Sequence, residues 1–475
     1  SPMSRGLGDV YKRQTMNQSS SNPKERFKYY GTPGKDFPRF DVDSPLPEEV
    51  EPTPRYEAHL GLQVFPTLPL IPLFNWAFGG LAKKLGFRSM IGSSFRTWMP
   101  ANLSRLRPDK FSDEYFVERR LNGFNPGKLN PVTGQEWQYA VRYETGRYKA
   151  EPGGILPEYS EARFTLSDRS LQVHSIEYSW KGQVINCFPT DGQYWQKAKY
   201  YFRSAEYVFQ EIQSHLGRTH MNMDQYAMAF YRNVIKSPIR ELLWDHFEGL
   251  ISIDKKGSSL IIGNTGFIPE ASALDAKSVE GVLVKEIAIL NYHWSPKIQA
   301  LPDPIDNNYF DRAALAMWEL LEKYVSEFFA NNQQEIQTYW HEIEGMSKDL
   351  VAHAIFDPKE KLAINDEKDL QQLCVYVLYH CTFFHSWVNN KQYEDGGDIE
   401  YTAIGLWDED DPNYDAKKVE ERHDSQVKLM WTLGNVRYNP AIEFAPLPLK
   451  RLLWEYRDRI EPSIPLGWIM MSINI

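Results

Sequence analysis

Cysteine is scarce: Cys187, Cys374 and Cys381 are the only three in 475 residues. Three thiols cannot make a disulfide framework, so they fit a reducing, cytoplasmic compartment, with Cys374 and Cys381 read as core thiols. Basic charge is in deficit, because 53 Lys and Arg face 63 Asp and Glu for a formal net charge of -10. That balance argues against nucleic-acid binding, which needs a concentrated basic face. An uninterrupted bilayer-length helix is missing from the apolar stretch 60–81 (LGLQVFPTLPLIPLFNWAFGGL), where Pro66, Pro69 and Pro72 recur at every third residue. With Lys83, Lys84 and Arg88 behind it, 60–88 reads as an arm packed on the core, peripheral membrane contact being the alternative.

What is present is helical patterning with histidine in it. Residues 195–230 (WQKAKYYFRSAEYVFQEIQSHLGRTHMNMDQYAMAF) contain no proline and one glycine, and their apolar recurrence predicts a long helix. His215 and His220 sit on it five apart. In a regular α-helix that spacing separates two side chains by roughly 140°, so they could not share a ligand. A local i→i+5 π-bulge would bring them onto one face, and such bulges concentrate at functional sites. A second run, 373–390 (LCVYVLYHCTFFHSWVNN), carries His385 and Asn389 four apart, which share a face without distortion. Imidazole and oxygen donors of this kind suit a non-haem iron. Taken alone, HxxxxH is more often a pair of satisfied core or surface histidines, and His380 with His385 makes a second such pair. His380 reads as buried and not a ligand, since no donor follows it one turn on.

In order along the chain, these segments resemble the lipoxygenases. Trp195, Ala198, Lys199, Ala205, Glu206, Glu211, Ile212, His215, Leu216, Thr219 and His220 resemble the run W-x-x-A-K, A-D, H-E-L and H-x-x-x-T-H. Pro238, Ile239, Leu242, Leu243, His246 and Phe247 are similar to H-P-I-x-x-L-L-x-P-H-F, with Ser237 and Asp245 departing from it. His385, Val388, Asn389, Gln392 and Tyr393 resemble H-A-A-V-N-F-G-Q-Y, and Asp113, Glu114, Phe116, Leu121, Gly123, Asn125 and Pro126 resemble D-E-x-F-x-x-x-x-L-x-G-x-N-P. Ser472, Ile473 and Ile475 resemble the ending I-P-N-S-I-x-I, although Met470 and Met471 stand where Pro and Asn are usual.

The resemblance covers about 100–475 and implies iron held by His215, His220, His385, Asn389 and the α-carboxylate of Ile475. Manganese is the alternative metal, since first-row selectivity also reflects availability. Glu211 and Gln392 are the implied hydrogen-bonding neighbours that orient and tune the ligands. The implied partners are a polyunsaturated fatty acid and dioxygen. A hydrogen atom is taken from a bis-allylic methylene, dioxygen adds to the opposite face, and a hydroperoxide leaves. Ile261 and Ile268 correspond to the lining of an apolar substrate tunnel. Gly257 corresponds to a position of Ala or Gly in the family, where glycine goes with R-configured products; its other reading is a turn glycine after Lys255 and Lys256. With no ligand lost, fatty-acid dioxygenation leads. A hydroperoxide isomerase and a silent lipid-binding relative are the alternatives.

The length would allow two to three domains, but the motifs run through one unit. Residues 1–58 are expected to be a leader and mobile arm, with 1–15 a leader or cloning artefact before Met16, and 59–475 the catalytic domain. Residues 162–188 alternate as a strand pair turning at Lys181 and Gly182, and long helical runs follow, including 310–345 and 365–390. The predicted fold is therefore mainly α, one lipoxygenase-like helical domain with a small β-sheet and a long central helix whose π-bulge carries ligands. The N-terminal β-barrel of plant and animal relatives is not expected in the residues before Asp113.

Overall fold

The computed structural model describes residues 103–127, 129–251, 253–254, 261–263, 266–275, 277–279, 281–283, 295–297, 301–353, 359–435 and 439–473. The expected arm at 1–58, the 60–88 segment, Gly257 and Ile475 lie outside them.

Helix α1 (Asp113–Asn122) begins where the Ser112 hydroxyl accepts the Tyr115 amide at 3.0 Å, with Asp113 and Glu114 in the first turn where the helix dipole favours them. Asp113 then does a second job, because its Oδ1 accepts from Trp195 Nε1 and Lys199 Nζ, both at 2.7 Å. At the other end, buried Arg119 donates to Asp395 at 2.7 Å and Glu394 at 2.8 Å. The helix is thus a strut between the two histidine-bearing segments.

The predicted strand pair proves to be three strands of a five-stranded antiparallel sheet. Strands β1 (Asn130–Pro131), β2 (Tyr139–Glu144), β4 (Tyr159–Ser167), β5 (Ser170–Trp180) and β6 (Gln183–Cys187) lie in the order β1-β2-β4-β5-β6. Both hairpins turn on paired positive-φ residues, Asp168 and Arg169 (47° and 67°) and Lys181 and Gly182 (51° and 74°), which match the twist of the strands they join. β3 (Gly154–Ile155) pairs separately with a late strand, Leu406–Trp407. One sheet face is apolar and packs on α1 and on the next helix, with Phe116 stacked on Phe164 at 6.3 Å and Tyr178 edge-on to Tyr201 at 5.3 Å.

That next helix, α2, spans 193–233 without interruption. It is α over Gln193–Phe209, π over Gln210–Met221 and α again over Asn222–Asn233. Helix α3 (Tyr309–Thr338) and α4 (Trp340–His353) divide the single run expected at 310–345, because Tyr339 leaves helical geometry at φ -104° and ψ 23°. Helix α5 spans 367–396, again in three parts: α over Glu367–Tyr379, π over His380–Phe384, and α over His385–Gly396. Among the described residues no helix is long and apolar enough to cross a membrane.

Candidate metal centre

The two ruptures of α-geometry bring three imidazoles together. In α2 the amide of Asn222 reaches back five residues to Gly217 O, the signature of the wider turn. His215 and His220, five apart, thereby face the same way, with Nε2 atoms 3.3 Å apart. His385 comes in from α5, its ring centroid 5.4 Å from His215 and 5.0 Å from His220. One ligand atom from each of the three lies within 4.8 Å of the others, and the three residues are 1%, 4% and 0% exposed.

Carboxylates orient two of the rings. Glu211 Oε2 lies 3.1 Å from His215 Nδ1, and Asp254 Oδ1 lies 2.6 Å from His220 Nδ1. Each carboxylate accepts the Nδ1 proton, so both Nε2 lone pairs are left turned toward the common centre. His385 has no partner on either nitrogen among the described residues, and burial, reinforced by the two neighbouring imidazoles, holds it neutral and well below the usual histidine range. Asn389 shares its face one turn on. Its amide donates to Asn390 at 3.2 Å while its Oδ1 is unmatched, and Gln392 is wholly buried with both polar atoms unmatched. Each buried unpaired group costs about 1–3 kcal/mol. Orphaned nitrogen and oxygen acceptors beside two carboxylate-oriented imidazoles fit a borderline cation with nitrogen and oxygen ligands.

The end of the chain is drawn into the same region. Ser386 Oγ accepts the Met470 amide at 2.8 Å, Asn390 donates to Trp468 O at 3.0 Å, and His246 Nδ1 donates to Met471 O at 2.8 Å. Residues 469–473 are buried beside α5. Ile475 and Gly257 fall outside the described residues, so neither expected role is reached by these contacts. Ile268 is fully buried and Ile261 packs at the edge of the same core. Their segment is held tight by the Ile268 amide on Ile261 O at 2.9 Å, and a Cβ at Gly266 would lie 2.6 Å from that carbonyl, so only glycine fits there. His380 stands apart from the cluster, with Nδ1 donating to Tyr376 O at 2.8 Å and its pKa pushed down to about 3 by burial.

Asp254 escaped the sequence reading. It lies 34 residues beyond its partner His220, and its only trace is an acid at the end of the apolar run Leu250, Ile251, Ile253.

The lipoxygenase family model matches residues 177–308. A linolenate 9R-lipoxygenase of Nostoc sp. is 32% identical over 461 residues, covering 95% of this chain and 57% of the relative. This chain therefore spans little more than half of that protein's length. The arachidonate 12-lipoxygenase, 12R-type, of Mus musculus is 23% identical over 61% of this chain and 47% of its own. Among solved structures, a 9R-lipoxygenase from Cyanothece PCC8801 superposes with a TM-score of 0.78 at 25% identity, covering 94% of this chain and 75% of that one. The fold also matches a coral 8R-lipoxygenase with a TM-score of 0.72. With this fold, this histidine cluster and these relatives, the chain belongs to the lipoxygenase family.

Proposed function

We propose that the chain dioxygenates a polyunsaturated fatty acid to an R-configured hydroperoxide at an iron centre held by His215, His220, His385 and Asn389. The observation that carries this reading is the buried three-imidazole cluster with the orphaned Asn389 Oδ1 beside it. R-configuration is supported by the 9R names of the Nostoc and Cyanothece proteins. Iron bound there supplies the one-electron couple that lets a hydrogen atom leave a bis-allylic methylene. The protein's residues do the rest. Glu211 and Asp254 fix which imidazole nitrogen faces inward, and neutral His385 adds a donor without adding charge. Ile212, Leu216 and Val388, next to these ligands in the chain, and Ile268 in the same core are all at most 2% exposed, an apolar setting that would keep water from a carbon radical and leave dioxygen as its reaction partner.

Oxygen uptake by the iron-loaded protein with linoleate, linolenate and arachidonate, followed by chiral chromatography, tests the reading. Expected is uptake with one dominant R product; consumption of added hydroperoxide without oxygen uptake would favour the isomerase instead. Gly257→Ala is expected to move product from R toward S without altering iron content, because glycine at the corresponding position of the family goes with R-configured products.

A further inference from the structure

Asn389 and Asn390 are consecutive on the last part of α5 and are 0% and 1% exposed. Their carboxamides form a relay: Asn389 Nδ2 donates to Asn390 Oδ1 at 3.2 Å, and Asn390 Nδ2 donates onward to Trp468 O at 3.0 Å. The outer end of the relay sets its polarity. A backbone carbonyl only accepts, so Trp468 O holds the nitrogen end of Asn390 and leaves the oxygen end facing Asn389. An oxygen is met there only by a donor, so Asn389 turns its NH2 group to Asn390. Reversing either carboxamide would set acceptor against acceptor. The end of Asn389 left over is Oδ1, buried and unmatched among the described residues.

That polarity has a chemical consequence, because a carboxamide binds a cation through its carbonyl oxygen while its nitrogen carries only donors. An imidazole can be set from its far nitrogen, as Glu211 does for His215. A carboxamide needs a partner for its NH2 group instead, and Asn390 supplies it. The acceptor at the outer end is itself fixed on the same helix, since Met470, two residues beyond Trp468, has its amide held by Ser386 Oγ at 2.8 Å. In the run H-A-A-V-N-F-G-Q-Y that this segment resembles, Phe stands where this chain has Asn390, so the relay comes with a residue in which the chain departs from that run.

From this chain of contacts we infer that Asn390 is a positioning residue for Asn389. It holds the neighbouring carboxamide with Oδ1 free to face a metal, and it takes its own orientation from Trp468 O. The inference rests on the reading of this site as an iron centre with Asn389 among its ligands.

The test uses the full chain loaded with Fe2+, its folding checked by circular dichroism. Iron loss to a ferrous chelator is followed over time, and the ferric EPR spectrum is recorded after oxidation. Asn390→Leu removes both contacts at nearly constant volume; Asn390→Ala replaces it in the test if the leucine variant does not fold. Either should shed iron about tenfold faster than wild type, the lower end of the 10–100-fold effects of losing an outer hydrogen-bond partner. Either should also change the EPR line shape, which a loss of stability alone would leave as it is. Asn390→Asp still offers Asn389 an acceptor, whether its carboxyl is charged or protonated, and should stay within about threefold of wild type with the wild-type line shape. A wild-type spectrum in folded Asn390→Leu or Asn390→Ala would overturn the inference, as would Asn390→Asp shedding iron as fast as they do. Failure of wild type to hold iron, or a wild-type spectrum in Asn389→Ala, would instead overturn the reading of the site on which the inference rests.

Discussion

Helices α2 and α5 both pass from α to π and back, yet they use the wider turn differently. In α2 the π segment, Gln210–Met221, contains both histidines and makes their spacing of five serviceable. In α5 the π segment, His380–Phe384, ends before the donors begin, and the amide of His385 closes it by reaching back to His380 O. There it acts as a rotator, turning the whole face of His385 and Asn389 relative to the helix that precedes it. The same distortion can therefore set the separation of two ligands or the direction of an already regular pair.

The sharpest way to break this comparison is at the two histidines of α5. His385→Ala should abolish metal binding, measured as iron per chain by elemental analysis, while His380→Ala should keep the metal and lose about 2–4 kcal/mol of stability in urea unfolding. The inverse result, iron lost with His380 and retained without His385, would assign the π turn of α5 the same task as that of α2.

Acid sharpens it further. Burial holds the folded His380 near a pKa of about 3, against an ordinary 6.5, so the unfolded chain takes up a proton that the folded chain refuses. Stability from this residue is complete above pH 6.5 and is lost as pH falls toward 3. Between pH 7 and 5 the loss should be about 2 kcal/mol, absent in His380→Phe. His246, pushed down to about 4 by burial, adds the same sign to both proteins and cancels in their difference.

The first of these π segments was legible in the sequence, and the second was not. A pair of ligand-type residues five apart on an unbroken helical pattern demands an i→i+5 turn, which is why His215 and His220 gave it away. His385 and Asn389 at four apart demand nothing, so the turn that aims them left no mark in their spacing. The sheet was half legible. Phe164 to Trp180 alternate over two long strands, whereas Tyr139–Glu144 buries Tyr139, Ala140, Val141 and Tyr143, too nearly continuous for alternation to show. Asp254 was illegible because a contact across 34 residues has no period.

Two smaller effects separate the helices by how their widened turns are sealed. Ser386 donates to Thr382 O and at the same time accepts the Met470 amide, so Ser386→Ala strands a buried N–H and should cost about 1–2 kcal/mol, read as a drop in the urea midpoint. Thr219 only donates back to His215 O. Thr219→Val should therefore cost about 1 kcal/mol or less by the same measurement, since the carbonyl retains other ways to be satisfied. Equal costs at the two positions would mean that the tail contact at Ser386 adds nothing.

The depth of the cluster also sets a clock. His215, His220, His385 and Asn389 sit at most 4% exposed on unbroken interior helices, not on loops. Loops open alone, whereas helices in a core open only with a large cooperative part of the fold. A metal bound there would leave only through openings of this interior, so its exchange with solution should slow as the fold is stabilised.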